Sequence, residues 1–179
     1  IIDDLLTLSR LENAPLDDIL DLKVHSLCML LESSYQICHE RAEAKNITLR
    51  ISCPTSVNIF ADSSLLIQAI VNLIDNAIKY SPEYTYVTLA GIETSDSVAI
   101  SVSDNGPGIE EDHLSRLFER FYRVDKARSR KMGGTGLGLA IVKHIVSVHG
   151  GEVKVETSSG QGSTFTILLP VHAGWVSDK

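Results

Sequence analysis

Residues 63–80 carry the pattern that most constrains the fold, an apolar stripe with helical spacing. The stripe is wide enough to cover one side of a helix and must pack on another layer. Its members are Leu65, Leu66, Ala69, Ile70, Leu73, Ile74, Ala77 and Ile78. Ser63 or Ser64 can cap the predicted helix at its N-terminus, and Pro82 lies just beyond its end.

The opposite face of this helix is polar and holds two asparagines. Asn72 and Asn76 lie one turn apart on this face, although Asn is a poor helix former. An amide oxygen can ligate Mg²⁺ without adding charge, and the ammonium group of a residue such as Lys79 can meet a phosphate. A plain solvent-exposed polar face would produce the same pattern. This helix alone therefore leaves both interpretations open.

Alternating and apolar segments elsewhere predict strands and further helices. In residues 97–104, Val98, Ile100 and Val102 alternate with small or polar residues, so one face of that strand is expected to be buried. The predicted strands lie near 21–24, 47–53, 57–61, 85–93, 97–104, 152–157 and 163–169. The predicted helices lie near 1–12, 26–44, 63–80, 110–117 and 138–149. Together they predict an α/β fold, a two-layer sandwich of one mixed β-sheet with helices on one face.

Composition and charge exclude several classes of protein. The chain has 179 residues, 44% of them hydrophobic and 22% charged, as in an ordinary soluble globular domain. Its net charge of −7 argues against a nucleic-acid partner. The three cysteines form no CxxC pair, which suits reduced thiols in the cytosol, and the six histidines show no zinc-type spacing. No apolar run approaches the ~20 residues of a membrane span.

One segment departs from the acidic average. Basic residues crowd into residues 120–131, at Arg120, Arg123, Lys126, Arg128, Arg130 and Lys131. The segment is either a solvated loop or a mobile basic lid over a triphosphate. The glycines that follow it immediately favour the lid. In addition, an irregular stretch of nearly thirty residues inside a compact domain is uncommon unless it is functional.

Two glycine-rich segments allow backbone to approach a ligand closely. Asp104 ends a predicted strand and precedes residues 105–108, Asn-Gly-Pro-Gly. Its carboxylate can accept a hydrogen bond from an amine such as adenine N6, although the segment would also make an ordinary turn. Residues 133–138 open a predicted helix and present free N–H groups that suit phosphate. No Gly-Lys-Ser/Thr follows, so this is not a P-loop, and the signatures of eukaryotic-type protein kinases are missing.

Four segments together have the order and spacing of a known family. They are residues 72–80, 104–108, 118–123 and 134–139. These segments resemble the N, G1, F and G2 boxes of the ATP-binding domain of bacterial sensor histidine kinases, members of the GHKL superfamily. The resemblance covers about residues 15–170. It implies a Bergerat-type ATP-binding fold, ATP and Mg²⁺ as cofactors, and a role in two-component signal transduction.

The resemblance also implies roles for individual residues. It assigns Asn76 to Mg²⁺ and Asn72 and Lys79 to the phosphate and metal neighbourhood, with all three as catalytic residues. Tyr80 would lie at the rim of the pocket. Asp104 would read adenine. The ATP-binding residues that it implies are Asn72, Asn76, Lys79, Tyr80, Asp104, Gly106, Gly108, Arg130, Lys131, Gly134, Thr135, Gly136, Leu137, Gly138 and Thr164. Arg130 and Lys131 are the candidates for contacts with the γ-phosphate.

The expected activity is transfer of the ATP γ-phosphoryl group to a histidine for relay to an aspartate of a response regulator. Gyrase, Hsp90 and MutL ATPases place a glutamate base four residues before the metal-binding Asn, where this chain has Asn72. Hydrolysis should therefore be slow. His39-Glu40 begins like a phosphoacceptor box but lacks its Pro, so no phosphoacceptor histidine is expected in this chain. A degenerate domain that binds ATP without transfer is the alternative.

The resemblance extends to organisation and partners. Residues 1–14 resemble the C-terminal end of the dimerisation hairpin helix, and Pro15 marks the boundary because it disfavours helical geometry in Ala14. Residues 15–172 would form the ATP-binding domain and 173–179 a tail. The chain lacks an initiator Met, so we expect a cytoplasmic fragment of a longer, membrane-anchored receptor. Expected partners are the dimerisation and phosphoacceptor helices of that receptor, homodimeric at full length, and a response-regulator receiver domain.

Overall fold

The computed structural model describes residues 2–13, 15, 20–124 and 134–171. The helices are α1 (Ile2–Asn13), α2 (Leu27–Ala44), α3 (Ser63–Tyr80), α4 (Glu111–Leu114) and α5 (Gly138–Val148). The strands are β1 (Lys23–Ser26), β2 (Thr48–Ser52), β3 (Asn58–Ala61), β4 (Tyr86–Glu93), β5 (Ser97–Ser103), β6 (Glu152–Thr157) and β7 (Ser163–Pro170). Each predicted element is present, and no predicted end differs from the observed one by more than three residues.

Five strands form one mixed sheet in the order β2-β4-β5-β7-β6. β2 pairs with β4 in parallel, and the remaining pairs are antiparallel. Val98, Ile100 and Val102 are buried on one face of β5, as their alternation predicts. Because α2, α3 and α5 carry the facing apolar residues, the predicted two-layer α/β sandwich is confirmed.

The structure adds a second sheet that the sequence pattern does not reveal. β1 and β3 form a two-stranded antiparallel pair in which Lys23 lies opposite Ala61. β2 and β3 are neighbours in the chain on either side of Pro54, but they belong to different sheets. The backbone N–H of Leu27 donates to the Val57 carbonyl at 3.0 Å, which ties the start of α2 to this small sheet.

α3 lies at the centre of the helical layer and buries its predicted stripe. Leu66, Ile70 and Ile74 are fully buried, and α2 and α5 flank the helix. The predicted N-cap is wrong. Asp62 rather than Ser63 or Ser64 caps α3, and its Oδ1 accepts from the Leu65 N–H at 3.0 Å. The helix begins one residue earlier than a serine cap requires, and a carboxylate caps a helix as well as a hydroxyl does.

α1 packs on α5 through buried Leu8 and Leu11. The Glu12 carboxylate near its end accepts from His144 Nε2 at 2.9 Å and forms an ion pair with Arg120.

The domain boundary at residue 15 stays a prediction, and the tail predicted at 173–179 lies outside the described residues. Within the described part of the chain, no helix combines the length and hydrophobicity that crossing a membrane requires.

Candidate functional site

The predicted segments converge on one cavity of about 710 Å³. Its wall is built from the polar face of α3, the loop after β5 and the glycine-rich segment before α5. The predicted residues that line it are Asn72, Asn76, Lys79, Tyr80, Asp104, Gly108, Gly134, Thr135, Gly136 and Gly138. Segments that are far apart in the chain therefore line the same cavity, as the arrangement of the motifs predicts.

α3 presents its asparagines to the cavity because its apolar stripe is buried on the other side. The amide Nδ2 of Asn72 is buried and has no hydrogen-bond partner among the described residues. A buried amide donor without an acceptor costs about 1–3 kcal/mol, so an acceptor in a ligand would remove this cost. Asn72 also lies against the glycine-rich segment, since a Cβ on Gly138 would be 3.6 Å from Asn72 Oδ1.

Asp75 shows that the plain polar-face interpretation applies to part of α3. Its Oδ1 pairs with Arg41 Nη2 of α2 at 3.1 Å, and the Cys38 thiol lies 3.9 Å away. Burial raises the pKa of Asp75, and the nearby Arg41 charge opposes this shift. Asp75 is therefore explained by a contact within the protein, whereas no described residue accounts for the buried Nδ2 of Asn72.

Lys45 holds the end of α3 at the cavity. Its ammonium group donates to the carbonyls of Ile78 at 2.7 Å, Lys79 at 2.8 Å and Ser81 at 2.8 Å. The last carbonyls of a helix lack partners within the helix, and a cation there also interacts favourably with the helix dipole. Lys45 thus positions the turn that carries Lys79 and Tyr80. The sequence analysis missed it, because no local pattern links it to a turn more than thirty residues later.

Asp104 is oriented by backbone donors. Its Oδ1 accepts from the N–H of Gly106 at 2.7 Å and from that of Ser163 at 3.3 Å. Burial raises the pKa of the Asp104 carboxyl, and the two backbone N–H groups partly offset this shift. A carboxylate has about four acceptor positions, so these two bonds leave room for an amine of a ligand.

Two glycines are required by close backbone contacts around the cavity. Gly108 has φ +74°, and a Cβ there would overlap the carbonyl oxygen of Ser158. Gly136 has φ +76°, and a Cβ there would lie 2.8 Å from Phe121 Cα. The Phe121 N–H donates to the Gly136 carbonyl at 2.9 Å, so the aromatic segment and the glycine-rich segment hold each other in place.

Three predicted residues do not reach the cavity wall. The N–H of Gly106 bonds to Asp104, the side chain of Leu137 is fully buried, and the Thr164 hydroxyl pairs with that of Ser103 at 2.9 Å. Arg130 and Lys131 lie outside the described residues, as does most of the predicted basic lid. Their contacts with the γ-phosphate stay predictions.

Arg123 is a cavity residue to which the sequence analysis gave no binding role. Its Nε and Nη2 are buried and have no hydrogen-bond partner among the described residues. A buried guanidinium without an anion is costly, so this arrangement fits an anionic ligand. Tyr122 beside it also lines the cavity and pairs with His113 Nδ1 at 2.7 Å. The sequence feature that could have identified Arg123 is its position as the last, basic residue of the aromatic segment 118–123.

Residues 61–173 match the family model described as "Histidine kinase-, DNA gyrase B-, and HSP90-like ATPase". The chain belongs to this ATPase family. It is 42% identical over 171 residues to "Sensor-like histidine kinase SenX3" of Mycolicibacterium smegmatis, covering 95% of this chain and 44% of that relative. It is 48% identical over 111 residues to "Sensor histidine kinase WalK" of Bacillus subtilis, covering 61% and 18%. The chain thus spans less than half the length of these relatives.

Solved structures show the same fold. Full-length ShkA in complex with AMPPNP superposes with a TM-score of 0.82 at 33% identity, over 94% of this chain and 35% of that chain. The catalytic domain of histidine kinase ThkA gives a TM-score of 0.74 at 26% identity, over 84% and 95%. The predicted resemblance to the catalytic domains of sensor histidine kinases is confirmed.

Proposed function

We propose that this ATPase-family domain binds Mg-ATP in the cavity and transfers the γ-phosphoryl group to a histidine on a dimerisation helix of its own receptor. The group would then pass to an aspartate of a response regulator. The observation that carries the proposal is a set of three buried donor nitrogens, one on Asn72 and two on Arg123, that have no hydrogen-bond partner among the described residues and lie on residues lining the same cavity as Asp104. Such a cavity has an anion-binding part and an acceptor for an amine.

The part of the cavity around Asp104 suits the adenine base of the nucleotide. The Asp104 carboxylate, held by the N–H groups of Gly106 and Ser163, accepts a hydrogen bond from the exocyclic amine of adenine. A guanine presents a carbonyl oxygen at the corresponding position, which would face the carboxylate unfavourably. The domain should therefore prefer ATP to GTP.

The other part of the cavity suits the phosphates. Arg123, Asn72 and Lys79 line the same cavity as the glycine-rich segment that opens α5, and in this proposal they bind the phosphates together. Backbone N–H groups at a helix start favour phosphate oxygens. Phosphoryl transfer depends mainly on such positioning and charge neutralisation, so these residues hold the nucleotide while an external imidazole attacks in line.

The residues also fit a magnesium ion. The described part of the chain has no cluster of three or more His, Cys, Asp or Glu side chains that could enclose a metal. Mg²⁺ commonly takes only one or two protein oxygens and completes its coordination with phosphates and water. The Asn76 amide oxygen would be its protein ligand here, and the bound ion would neutralise phosphate charge.

Transfer to a protein side chain is favoured over hydrolysis. Asn72 occupies the position at which the related hydrolases carry a glutamate base, and an amide cannot take a proton from water. None of the histidines that the structure describes lines the cavity. His39 instead stacks on Tyr35 with ring centroids 5.1 Å apart and pairs with Glu43 at 3.2 Å. The acceptor imidazole therefore comes from the dimerisation hairpin, and α1 would be the C-terminal end of that hairpin. The full-length protein would be a membrane-anchored homodimeric receptor.

The test is phosphotransfer between separate proteins. The domain is incubated with γ-labelled ATP, Mg²⁺ and the purified hairpin of its receptor, and a hairpin with His→Gln at the acceptor serves as the matched control. We expect acid-labile label on the wild-type hairpin only. If AMPPNP binds with Mg²⁺ while no acid-labile label reaches the hairpin, the domain is a nucleotide-binding module and the kinase proposal is wrong.

A further inference from the structure

Two of the three thiols meet at one backbone carbonyl outside the cavity. The Cys28 thiol lies 3.1 Å from the Cys53 carbonyl oxygen and 3.3 Å from that of Pro54. The Cys53 thiol lies 3.5 Å from the same Pro54 oxygen. The two sulfurs therefore share an acceptor, although the rest of α2 and all of β2 lie between the two residues in the chain.

This thiol pair joins two elements of the fold. Cys28 is in the first turn of α2, and Cys53 directly follows β2. Cys53 packs against β4 at Gly91, where an added Cβ would lie 3.0 Å from the sulfur. Both thiols are partly exposed, whereas Cys38 is buried. A small reagent can thus reach the pair from solvent but not the third cysteine.

We propose that Cys28 and Cys53 are a modification site that forms an intramolecular disulfide when a low-molecular-weight disulfide supplies the oxidising equivalents. Neither residue lines the nucleotide cavity, so the modification is separate from the proposed kinase function. The bond would connect the start of α2 to the loop between the two sheets. It would replace the S–H···O contacts of the two thiols with the Cys53 and Pro54 carbonyls, which are weak because sulfur is a weak donor.

The exchange proceeds in two balanced steps. The Cys28 sulfur, as thiolate, attacks one sulfur of the small disulfide and expels the first small thiol. The Cys53 sulfur then loses its proton, attacks the Cys28 sulfur of the mixed disulfide and expels the second. Two protein thiols lose two electrons and two protons in total, and the oxidant leaves as two thiols.

The order of attack follows from the surroundings of Cys53. Burial, followed by the hydrogen bond and the charge of Cys28, raises the pKa of Cys53 to about 12. Its thiolate is therefore scarce at neutral pH, and only the thiolate is nucleophilic. Cys53 becomes reactive once Cys28 is held beside it as a mixed disulfide, which makes it the resolving thiol.

The experiment uses the folded chain and oxidised glutathione at neutral pH. After the reaction, the protein is denatured, its free thiols are alkylated, and intact and digested masses are measured. We expect a loss of two hydrogen atoms, one alkylated thiol at Cys38, and a cross-linked peptide that joins Cys28 to Cys53. Dithiothreitol should restore three alkylatable thiols.

Matched variants separate the pair from general thiol oxidation. Cys38→Ala should still lose two hydrogen atoms, and Cys28→Ser should lose none. The measurement on the wild-type chain needs no variant, so a variant that folds poorly does not obscure the result. Three free thiols after prolonged oxidation, a cross-link that includes Cys38, or a disulfide between two chains would overturn the proposal.

Discussion

Replacement of Lys45 by methionine should weaken both the domain and its nucleotide site. The Lys45 ammonium group makes three hydrogen bonds of 2.7–2.8 Å, to the carbonyls of Ile78 and Lys79 in the last turn of α3 and to the carbonyl of Ser81, the C-cap residue. A hydrogen bond to a charged group contributes about 1.5–3 kcal/mol when buried, and a cation at a helix end adds about 0.3–1 kcal/mol. Water can take over some of the carbonyls, because Lys45 is only half-buried.

We therefore expect Lys45→Met to lower the free energy of unfolding by about 2–4 kcal/mol, since the three bonds are not additive. The same change loosens the turn that presents Lys79 and Tyr80 to the cavity. Affinity for Mg-AMPPNP should fall ~10-fold, which corresponds to ~1.4 kcal/mol. Urea denaturation measures the free energy of unfolding, and isothermal titration calorimetry measures the affinity for Mg-AMPPNP.

The control is Lys154→Met, which removes an exposed lysine on β6 that forms an ion pair with Glu152 at 2.8 Å. This variant should change neither quantity by more than about 0.5 kcal/mol. Lys45→Arg keeps the charge and should recover part of both losses. If Lys45→Met unfolds at the same urea concentration and binds Mg-AMPPNP as tightly as the wild type, Lys45 does not position α3.

Three further predictions test other parts of the account. Asp104→Ala should cost about 1.5–3 kcal/mol of Mg-ATP affinity through loss of the base contact, and wild-type calorimetry that shows equal ATP and GTP binding would contradict this role. Arg123→Met should weaken Mg-AMPPNP binding at least ~10-fold while preserving or raising stability, because it removes two buried guanidinium nitrogens that have no hydrogen-bond partner among the described residues; an unchanged Kd would argue against phosphate contact. The free energy of unfolding should fall as pH drops, because burial lowers the pKa of His149, whose Nε2 accepts from the Asp62 N–H at 3.0 Å. This contribution is complete above the unfolded pKa of about 6.5 and is lost as pH falls through the lower folded pKa, so urea curves should show a smaller acid loss for His149→Gln than for the wild type.

Regular elements were predictable because each leaves a local periodic signal. The stripe of α3 and the alternation in β5 both appear in the structure as buried faces. The two-stranded sheet was not predictable, because β1 and β3 are short and pair across the whole of α2 and β2. The N-cap prediction failed because Asp62, Ser63 and Ser64 are all acceptable caps, and only the path of the chain chooses among them.

The site residues likewise divide into those that a local sequence pattern predicts and those that only the folded chain reveals. Asn72 and Asn76 were predictable because asparagine is unusual within a helix and a family motif surrounds them. Lys45 was not, because it acts on carbonyls that come near only in the folded chain. A basic run likewise does not indicate which side chain enters a cavity. For that reason Arg123 was placed in the basic segment but was not distinguished from its neighbours as a binding residue.

The central claim is best tested by a crystal structure of the domain with Mg²⁺ and AMPPNP. The account predicts the adenine amine within hydrogen-bond distance of the Asp104 carboxylate, and the metal coordinated by the Asn76 amide oxygen and by phosphate oxygens. A nucleotide bound outside this cavity, or a metal that lacks Asn76 as a ligand, would contradict it.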